Sequence, residues 1–340
     1  MSKLLGLNPS NCLVNWFRYR LPGDTEVYSG SSEEIIKGLG KGFVIAPFSD
    51  PQAGLVTIPC RGPLPDNALT AEEADIPAST SKDSYLNEVE TIIRALAGEK
   101  GKIVAARVIR IDMRISLSAT FDALCEAYPH AFVFMFSTPA TGTWIGASPE
   151  LLLTAEGMHL KTMALAGTRA VASGLEWDRK NIEEQEMVAD FIVSTLSRHC
   201  VNVKAEASMT CMAGPVEHIC TPIAADIPDV SRPLHMALET ILASLSPTPA
   251  LCGSDREKSM RVIAATESFP REMYGGFCGP CGIDGKTAFY VNLRSAKCSP
   301  ESICVFAGGG ITNRSVPEEE WNETEMKSKT IINKLKKSEE

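Results

Sequence analysis

Glycines, carboxylates and a lysine are concentrated in the C-terminal third of the sequence. A run at Gly308–Gly310 precedes Ser-Val-Pro-Glu at 315–318, which predicts a capping box with proline in the first helical turn. On the helix that follows, Glu320, Glu323 and Lys327 fall on one face. Backbone N–H groups of a glycine turn can bind an anion, and carboxylates one turn further on can hold a hard cation. The spacing fits a solvated face of ordinary ion pairs equally well.

A second acidic helix is predicted from near Lys180 to residue 198. With 100° between successive residues, Glu183 lies on a polar arc, whereas Val188 and Phe191 lie on the opposing apolar arc. Glu184 falls inside the apolar arc, where a carboxylate is costly to bury unless it is paired or binds a metal. The wheel alone favours the simpler alternative, a glutamate at the edge of the stripe that reaches solvent or a buried cation.

Two other residue types suggest chemistry less strongly. Cys278-Gly-Pro-Cys281 has the spacing of a redox dithiol, but its glycine-rich surroundings do not predict the helix start that activates such thiols. With no second such pair to complete a zinc site, we interpret it as a coincidental turn. Of the five scattered histidines, His218 has a strand-like apolar context, which by itself is typical of a core histidine.

Composition limits the function further. The 340 residues are 44% hydrophobic and 22% charged, with a net charge of −9, as in a globular protein with one large or two modest cores. The acidic balance argues against a nucleic-acid partner, and no apolar run is long enough to cross a membrane. The N-terminus does not resemble a secretory signal, and eleven irregularly spaced cysteines are typical of reduced thiols. We therefore expect a cytoplasmic protein.

The order of elements predicts an α+β fold. Short strands occupy the first 60 residues, a proline-rich loop follows at 61–83, and a helix begins at Ser84. Further strands are predicted at 102–111, 131–136, 143–147, 151–154, 160–164, 287–295 and 302–307, and further helices at 180–198, 233–245 and 316–336. Clustered antiparallel strands with helices added later indicate α+β rather than alternating β-α units.

Nine short motifs occur in an order that resembles the chorismate-utilising enzymes, most closely the isochorismate synthases of menaquinone, siderophore and salicylate pathways. They begin at Lys102, Trp144, Leu165, Lys180, Ser246, Arg271, Val291, Phe306 and Glu320. The resemblance implies two large antiparallel sheets with flanking helices and a buried site between them. Residues 85–336 would form the chorismate-binding catalytic domain, and residues 1–84 would add strands and a loop to the same fold.

The resemblance also implies a metal site and a substrate site. Glu184 and Glu323 would bind Mg2+, with Glu320 acting through water, which suits an ion that uses few carboxylates and retains waters. The remaining implied residues would bind chorismate. The metal would hold the ring carboxylate, helped by Lys327 and by the backbone around Gly167 and Thr168. The enolpyruvyl carboxylate would be held by Arg294, Tyr274 and the N–H groups of Gly309 and Gly310. His218 and Ala250 would complete the pocket.

The implied reaction replaces one hydroxyl by another. Lys102 would act as general base on a water that attacks C2 of the ring, and Glu150 as general acid on the departing C4 hydroxyl. The lysine must be neutral to accept a proton and the glutamic acid must be protonated to donate one, and burial favours both states. A pair driven to opposite protonation states is typical of acid and base catalysts.

A few positions indicate the subfamily. Anthranilate synthases carry glutamine at the position of Lys102, and aminodeoxychorismate synthases carry a nucleophilic lysine at the position of Ala166. Water is therefore the expected nucleophile, and the resemblance implies a monomer without a glutamine amidotransferase partner. Gln185 and Ser246 depart from histidines of the family pattern.

Three alternatives remain open at this stage. A salicylate synthase would share nearly the whole site and add pyruvate elimination. A thiol-disulfide oxidoreductase would use Cys278 and Cys281. A chorismate-binding protein without catalysis would bind the substrate and leave it unchanged.

Overall fold

The computed structural model describes residues 14–65, 68–171, 176–213, 216–228 and 233–338. Within these ranges the chain forms seventeen strands. They are β1 Asn15–Arg20, β2 Tyr28–Ser32, β3 Ile36–Lys37, β4 Gly42–Ala46, β5 Val56–Ile58, β6 Lys102–Ile111, β7 Phe132–Thr138, β8 Gly142–Ser148, β9 Leu151–Glu156, β10 His159–Ala170, β11 Val201–Ala205, β12 Met209–Ala213, β13 Val216–Asp226, β14 Phe277–Ile283, β15 Lys286–Val291, β16 Ser295–Cys298 and β17 Ile303–Thr312.

Six helices complete the described part of the chain. They are α1 Lys82–Ala95, α2 Leu117–Ala127, α3 Arg179–Leu196, α4 Leu234–Leu245, α5 Arg256–Thr266 and α6 Pro317–Ile332. None of the described helices is long and apolar enough to span a lipid bilayer.

The strands form two large antiparallel sheets, which confirms the predicted α+β class. The first has the order β2-β1-β7-β8-β16-β17-β6. The second has the order β11-β13-β10-β9-β15-β14-β4-β5-β3, with β12 also paired to β13. The N-terminal strands therefore belong to both sheets, with β1 and β2 in the first and β3, β4 and β5 in the second.

The core between the sheets follows from the alternation of side chains along each strand. On β7, Phe132, Phe134 and Phe136 point into a cluster that contains residues of both sheets. The intervening Val133 and Met135 pack in a second cluster beneath α2. Every residue of β7 is buried, because the strand is covered on both faces.

Strand β6 carries the predicted base at its first position. Ala106 and Val108 face the core between the sheets, while Ile103 and Ala105 pack in a third cluster with residues of α1 and α5. Lys102 shares the parity of Ala106 and is therefore on the face of β6 that looks toward the second sheet.

Some local predictions were wrong because tertiary pairing overrides short-range signals. The glycines at 308–310 are not a turn, since they lie inside β17, paired with residues 104–106 of β6. A methyl group on Gly308 would lie 2.8 Å from the carbonyl oxygen of Ala105, so the close approach of the strands requires glycine. The Cys278–Cys281 segment is not a turn either, because it forms β14 between β4 and β15.

The predicted capping box of α6 is also absent. Ser315 accepts a hydrogen bond from the backbone N–H of Thr312 (3.0 Å), so its hydroxyl is used before the helix begins. The N-cap position is Val316, which offers no side-chain cap, and Pro317 opens the first turn as predicted. Helices α2 and α5 and strands β11, β12, β13 and β16 were not predicted.

Candidate active site

A cavity between the sheets brings together most of the predicted site residues. The centres of water molecules can occupy about 80 Å³ of this cavity. By the same measure a single water requires roughly 10–15 Å³, so the cavity can hold a small molecule. Strands β6, β10, β13 and β17 and helices α3 and α6 contribute to its wall. The predicted residues on this wall are Lys102, Glu150, Gly167, Glu184, His218, Ala250, Tyr274, Arg294, Gly309, Gly310, Glu323 and Lys327.

Two predicted residues are not on this wall. Glu320 is buried (2% exposed) beside Gly309, just behind it. The Thr168 side chain lies outside the described part of the structure.

Lys102 extends from the start of β6 into the cavity and is 1% exposed. Its backbone N–H donates to the hydroxyl of Ser254 (3.0 Å), which fixes the strand end. Its Nζ donates to Oε1 of Glu184 at 2.7 Å. The wheel had placed Glu184 on the apolar side of α3, and a buried lysine is the partner that this position needs.

Glu150 lies between β8 and β9, directly before the first residue of β9, and is 4% exposed. Burial raises the pKa of its carboxyl to about 7, against the opposing effects of the Lys102 charge, a hydrogen bond from Thr248 and the Lys327 charge. The Thr248 hydroxyl is 3.5 Å from Oε1, so that bond is weak. Glu150 can therefore retain a proton near neutral pH, as a general acid requires.

Three carboxylates surround the adjacent glycines of β17. A methyl group on Gly310 would lie 2.8 Å from Oε1 of Glu184. One on Gly309 would lie 3.2 Å from Oε2 of Glu320 and 3.6 Å from Oε1 of Glu323. The missing side chains of these two glycines therefore create the space in which the carboxylates approach the strand.

This donor set fits a hard cation in its chemistry, because all three groups offer carboxylate oxygens. In the described residues no three acidic, histidine or cysteine side chains already converge as a metal cluster. Lysines balance two of the carboxylates instead. Glu184 pairs with Lys102, and Glu323 pairs with Lys327 at 2.5 Å.

His218 lies on β13 and is 7% exposed. Its Nδ1 is 2.7 Å from the carbonyl oxygen of Gly167, which can only accept, so Nδ1 carries the proton. Desolvation and the charges of Arg294 and Lys327 lower the pKa of the imidazole to about 3. The ring is therefore neutral and serves as a polar wall rather than a cation.

Arg294 and Tyr274 form another part of the wall. Arg294 has a φ of 49°, an unusual backbone conformation, and its Nη1 donates to the Thr330 hydroxyl of α6 at 3.0 Å. Tyr274 stacks on Phe306 with ring centroids 5.2 Å apart, and burial raises its pKa to about 12. Its phenol is thus a hydrogen-bond donor at every physiological pH.

Thr248 and Thr330 are contact residues that the sequence reasoning missed. Thr330 had a usable signal, because it is three residues after Lys327 on the helical face that already held Glu320 and Glu323. Thr248 had none, because its contact with Glu150 spans 98 positions.

The alternative thiol chemistry is not supported by the geometry. Cys278 is fully buried in β14, and burial raises its pKa well above 9. The pKa of Cys281 is also raised by burial, and the two residues lie at positions i and i+3 of a strand, on opposite faces. Neither thiol has the electropositive helix terminus that activates a redox dithiol.

Comparison with known proteins assigns the family. The sequence model of the chorismate binding enzyme family matches residues 63–336. The vibriobactin-specific isochorismate synthase of Vibrio cholerae is 29% identical over 278 residues, which are 78% of this chain and 69% of that protein. The isochorismate synthase EntC of Escherichia coli is 30% identical over 245 residues, 68% of this chain and 61% of that protein. The chain therefore spans about three fifths of the length of EntC.

A solved structure has the same architecture. The menaquinone-specific isochorismate synthase MenF of Escherichia coli matches with a TM-score of 0.80 at 20% identity, over 95% of this chain and 89% of that one. Fold and sequence agree, and the chain belongs to the chorismate-binding enzyme family.

Proposed function

We propose that the chain is an isochorismate synthase, which interconverts chorismate and isochorismate. The observation that carries this proposal is that Lys102 and Glu150 line the same cavity. Both are almost completely buried, both line one cavity, and the pKa of Glu150 is raised to about 7. The relatives whose names state this activity support the same conclusion.

In the proposed reaction, Lys102 accepts a proton from a water as the water oxygen bonds to C2 of the ring. Glu150 donates its proton to the departing C4 hydroxyl, and the double bonds shift between the two carbons. The base requires a neutral amine at the moment of reaction, and the Glu184 carboxylate is bonded to that amine. A cation held by Glu184 would compete with Lys102 for this carboxylate.

The charges around the cavity support a divalent cation. With Lys102 neutral, as the base requires, the cationic Lys327 and Arg294 face the three carboxylates of Glu184, Glu320 and Glu323, so the wall has no excess of positive charge. Chorismate brings two further carboxylates, which would remain uncompensated unless a divalent cation binds with it.

We assign Mg2+ to Glu184 and Glu323, with Glu320 acting through water. When bound, the ion would neutralise the ring carboxylate and fix its orientation.

The remaining wall residues would orient the substrate. Lys327, together with the backbone at Gly167 and Thr168, would hold the ring carboxylate. The enolpyruvyl carboxylate would lie between Arg294 and Tyr274, against the strand at Gly309 and Gly310, with His218 and Ala250 completing the pocket. We further propose that the enzyme acts in the cytoplasm and without an amidotransferase partner, since its nucleophile is water.

Comparing two buried lysines tests the proposed activity. Lys102→Met should lower isochorismate formation by roughly 10²–10⁴-fold, the usual contribution of a general base, when chorismate and Mg2+ are supplied and the products are separated by chromatography. Lys297→Met is the matched control, because Lys297 is also buried and paired with one glutamate (Glu272, 2.8 Å) but lies outside the cavity. It should retain activity.

Absence of isochorismate with the parent protein would defeat the proposal, as would equal activity of the two variants. Release of pyruvate would identify a salicylate synthase, and chorismate binding without turnover would identify a binding protein.

A further inference from the structure

Tyr85 carries a buried hydroxyl that has no hydrogen-bond partner in the described structure. It lies in the first turn of α1, is 0% exposed, and meets the ring of Trp321 edge-on with centroids 5.8 Å apart. Trp321 in turn lies under the guanidinium of Arg107 at 3.8 Å. Because the ring is fully packed, the hydroxyl cannot turn toward solvent. An unsatisfied hydroxyl at such a position costs about 1–3 kcal/mol, so it calls for an explanation.

The hydroxyl lies close to the carboxylates of α6. A methyl group on Gly309 would have three oxygen neighbours, which are Glu320 Oε2 at 3.2 Å, Glu323 Oε1 at 3.6 Å and the Tyr85 hydroxyl at 3.9 Å. The phenol therefore shares one small region with two carboxylates from another helix. An exposed salt bridge from Lys82 to Glu318 (2.6 Å) also joins the start of α1 to the first turn of α6.

A phenol at this position can act as a hydrogen-bond donor. Burial, followed by the nearby charges of Glu320, Glu323 and Glu88, raises the pKa of Tyr85 well above 10, so the oxygen keeps its proton. A protonated phenol is a poor metal ligand but a good donor to carboxylates and to metal-bound water. Glu88, one turn further along α1, is the other nearby acceptor, but no hydrogen bond joins its Oε1 to Tyr85.

We infer that Tyr85 is a positioning residue, whose hydroxyl donates a hydrogen bond through one water to the Glu320–Glu323 carboxylate pair and so orients these ligands for the divalent cation. The inference rests on the proposed metal site. Two carboxylates at i and i+3 repel one another on a helix, and a fixed donor between α1 and α6 would oppose that repulsion and limit their rotamers.

The experiment compares two buried tyrosines. Tyr85→Phe removes the hydroxyl and keeps the ring against Trp321. Tyr19→Phe is the matched control, because the Tyr19 hydroxyl is also buried and without a partner but belongs to β1 in the core between the sheets. Binding of Mn2+ is measured by the electron paramagnetic resonance signal of the free ion, both with and without chorismate, since Mn2+ takes the same oxygen ligands as Mg2+.

Tyr85→Phe should weaken Mn2+ binding about tenfold, within the 10–100-fold range for groups that orient metal ligands, and Tyr19→Phe should leave it unchanged. In turnover, the Mg2+ concentration for half-maximal rate should rise by the same factor, while kcat at saturating Mg2+ stays near that of the parent. A purely structural role would lower kcat and thermal stability without this separation.

Each result decides the matter. If the parent binds Mn2+ and Tyr85→Phe binds it equally well, the inference is wrong and the metal site stands. Should the parent bind no Mn2+ either with or without chorismate, the metal assignment fails and the inference fails with it. If Tyr19→Phe weakens binding as much as Tyr85→Phe, the effect is not local and the inference is again overturned.

Discussion

Two buried ion pairs act on strand β6, and they are built differently. Behind the strand, Arg271 and Glu267 are each 2% exposed and are joined by several hydrogen bonds, including two from Nε at 2.8 and 3.0 Å. Arg271 also donates to the carbonyl oxygens of Leu251 (2.6 Å) and Val104 (2.8 Å). Glu267 accepts from the backbone N–H of Ala106 at 3.1 Å. Backbone groups of β6 and of the loop before α5 are thus tied to this pair.

In the cavity, Lys102 and Glu184 are joined by a single hydrogen bond of 2.7 Å, and Glu184 is 14% exposed. The Lys102 ammonium is a point charge on a flexible side chain, and the Glu184 carboxylate can still bind other ligands, whereas the Arg271 guanidinium is held in a fixed geometry. A charge pair therefore stabilises the fold when backbone groups fill its remaining hydrogen-bond positions. It stays available for chemistry when a single hydrogen bond joins it.

The strongest challenge to this comparison is to break the pair behind β6. Arg271→Leu should lower the free energy of unfolding by about 3–5 kcal/mol, because it leaves Glu267 charged and buried without its partner. Denaturant unfolding measures the change. Adding Glu267→Leu should restore much of the loss, since the unpaired charge is then removed. A loss below about 1 kcal/mol for the single variant would contradict a structural role.

The second prediction concerns the protonation of Glu150. Its pKa is about 7 in the folded protein and 4.5 ordinarily, so the folded state holds the proton more tightly. This contribution to stability is fully present below pH 4.5 and is lost as the pH rises to 7, amounting to roughly 3 kcal/mol. Glu150→Gln does not titrate.

The free energy of unfolding of Glu150→Gln, relative to the parent, should therefore increase from pH 4.5 to pH 7 and then stay level. Urea unfolding of both proteins at several pH values measures this difference. A constant difference across that window would show that Glu150 is not held protonated by burial.

The smallest expected effect comes from a methyl group placed beside the Lys102–Glu184 pair in the cavity. Gly310→Ala places a methyl group 2.8 Å from Glu184 Oε1 and 3.3 Å from Lys102 Cδ, so the pair must shift by a few tenths of an ångström. Turnover should fall about tenfold, since displaced catalytic groups lose rate steeply, with little change in thermal stability. Gly62→Ala, whose nearest contact would be the Ser31 hydroxyl at 3.8 Å, is the control and should retain full turnover.

The parts of the fold that follow a regular period could be predicted from the sequence. The apolar run at 102–111 coincides with β6, and the helical wheel placed Glu184 on the buried side of α3, where Lys102 meets it. In both cases the periodicity of one element decides which way a side chain points. The roles of Lys102 and Glu150 came only from family resemblance, because neither residue has a local signal.

Two predictions failed for different reasons. Nothing near Gly308–Gly310 reveals that β6, which is distant in the chain, lies alongside. The capping box failed locally, because the Ser315 hydroxyl bonds to the backbone of Thr312, three residues earlier, and the same short sequence is compatible with either bond. In the sequence, Tyr85 is simply the second residue of the helix predicted to begin at Ser84. Its hydroxyl becomes informative once α1 and α6 are seen to pack against the same strand.

Helix α6 reaches the site through four positions at helical spacing, which are Glu320, Glu323, Lys327 and Thr330. An insertion or deletion of one residue within the helix would rotate all later side chains by about 100°. Residues on the solvent side of α6 can therefore differ in type without moving the four site residues, whereas the number of residues from Glu320 to Thr330 cannot change.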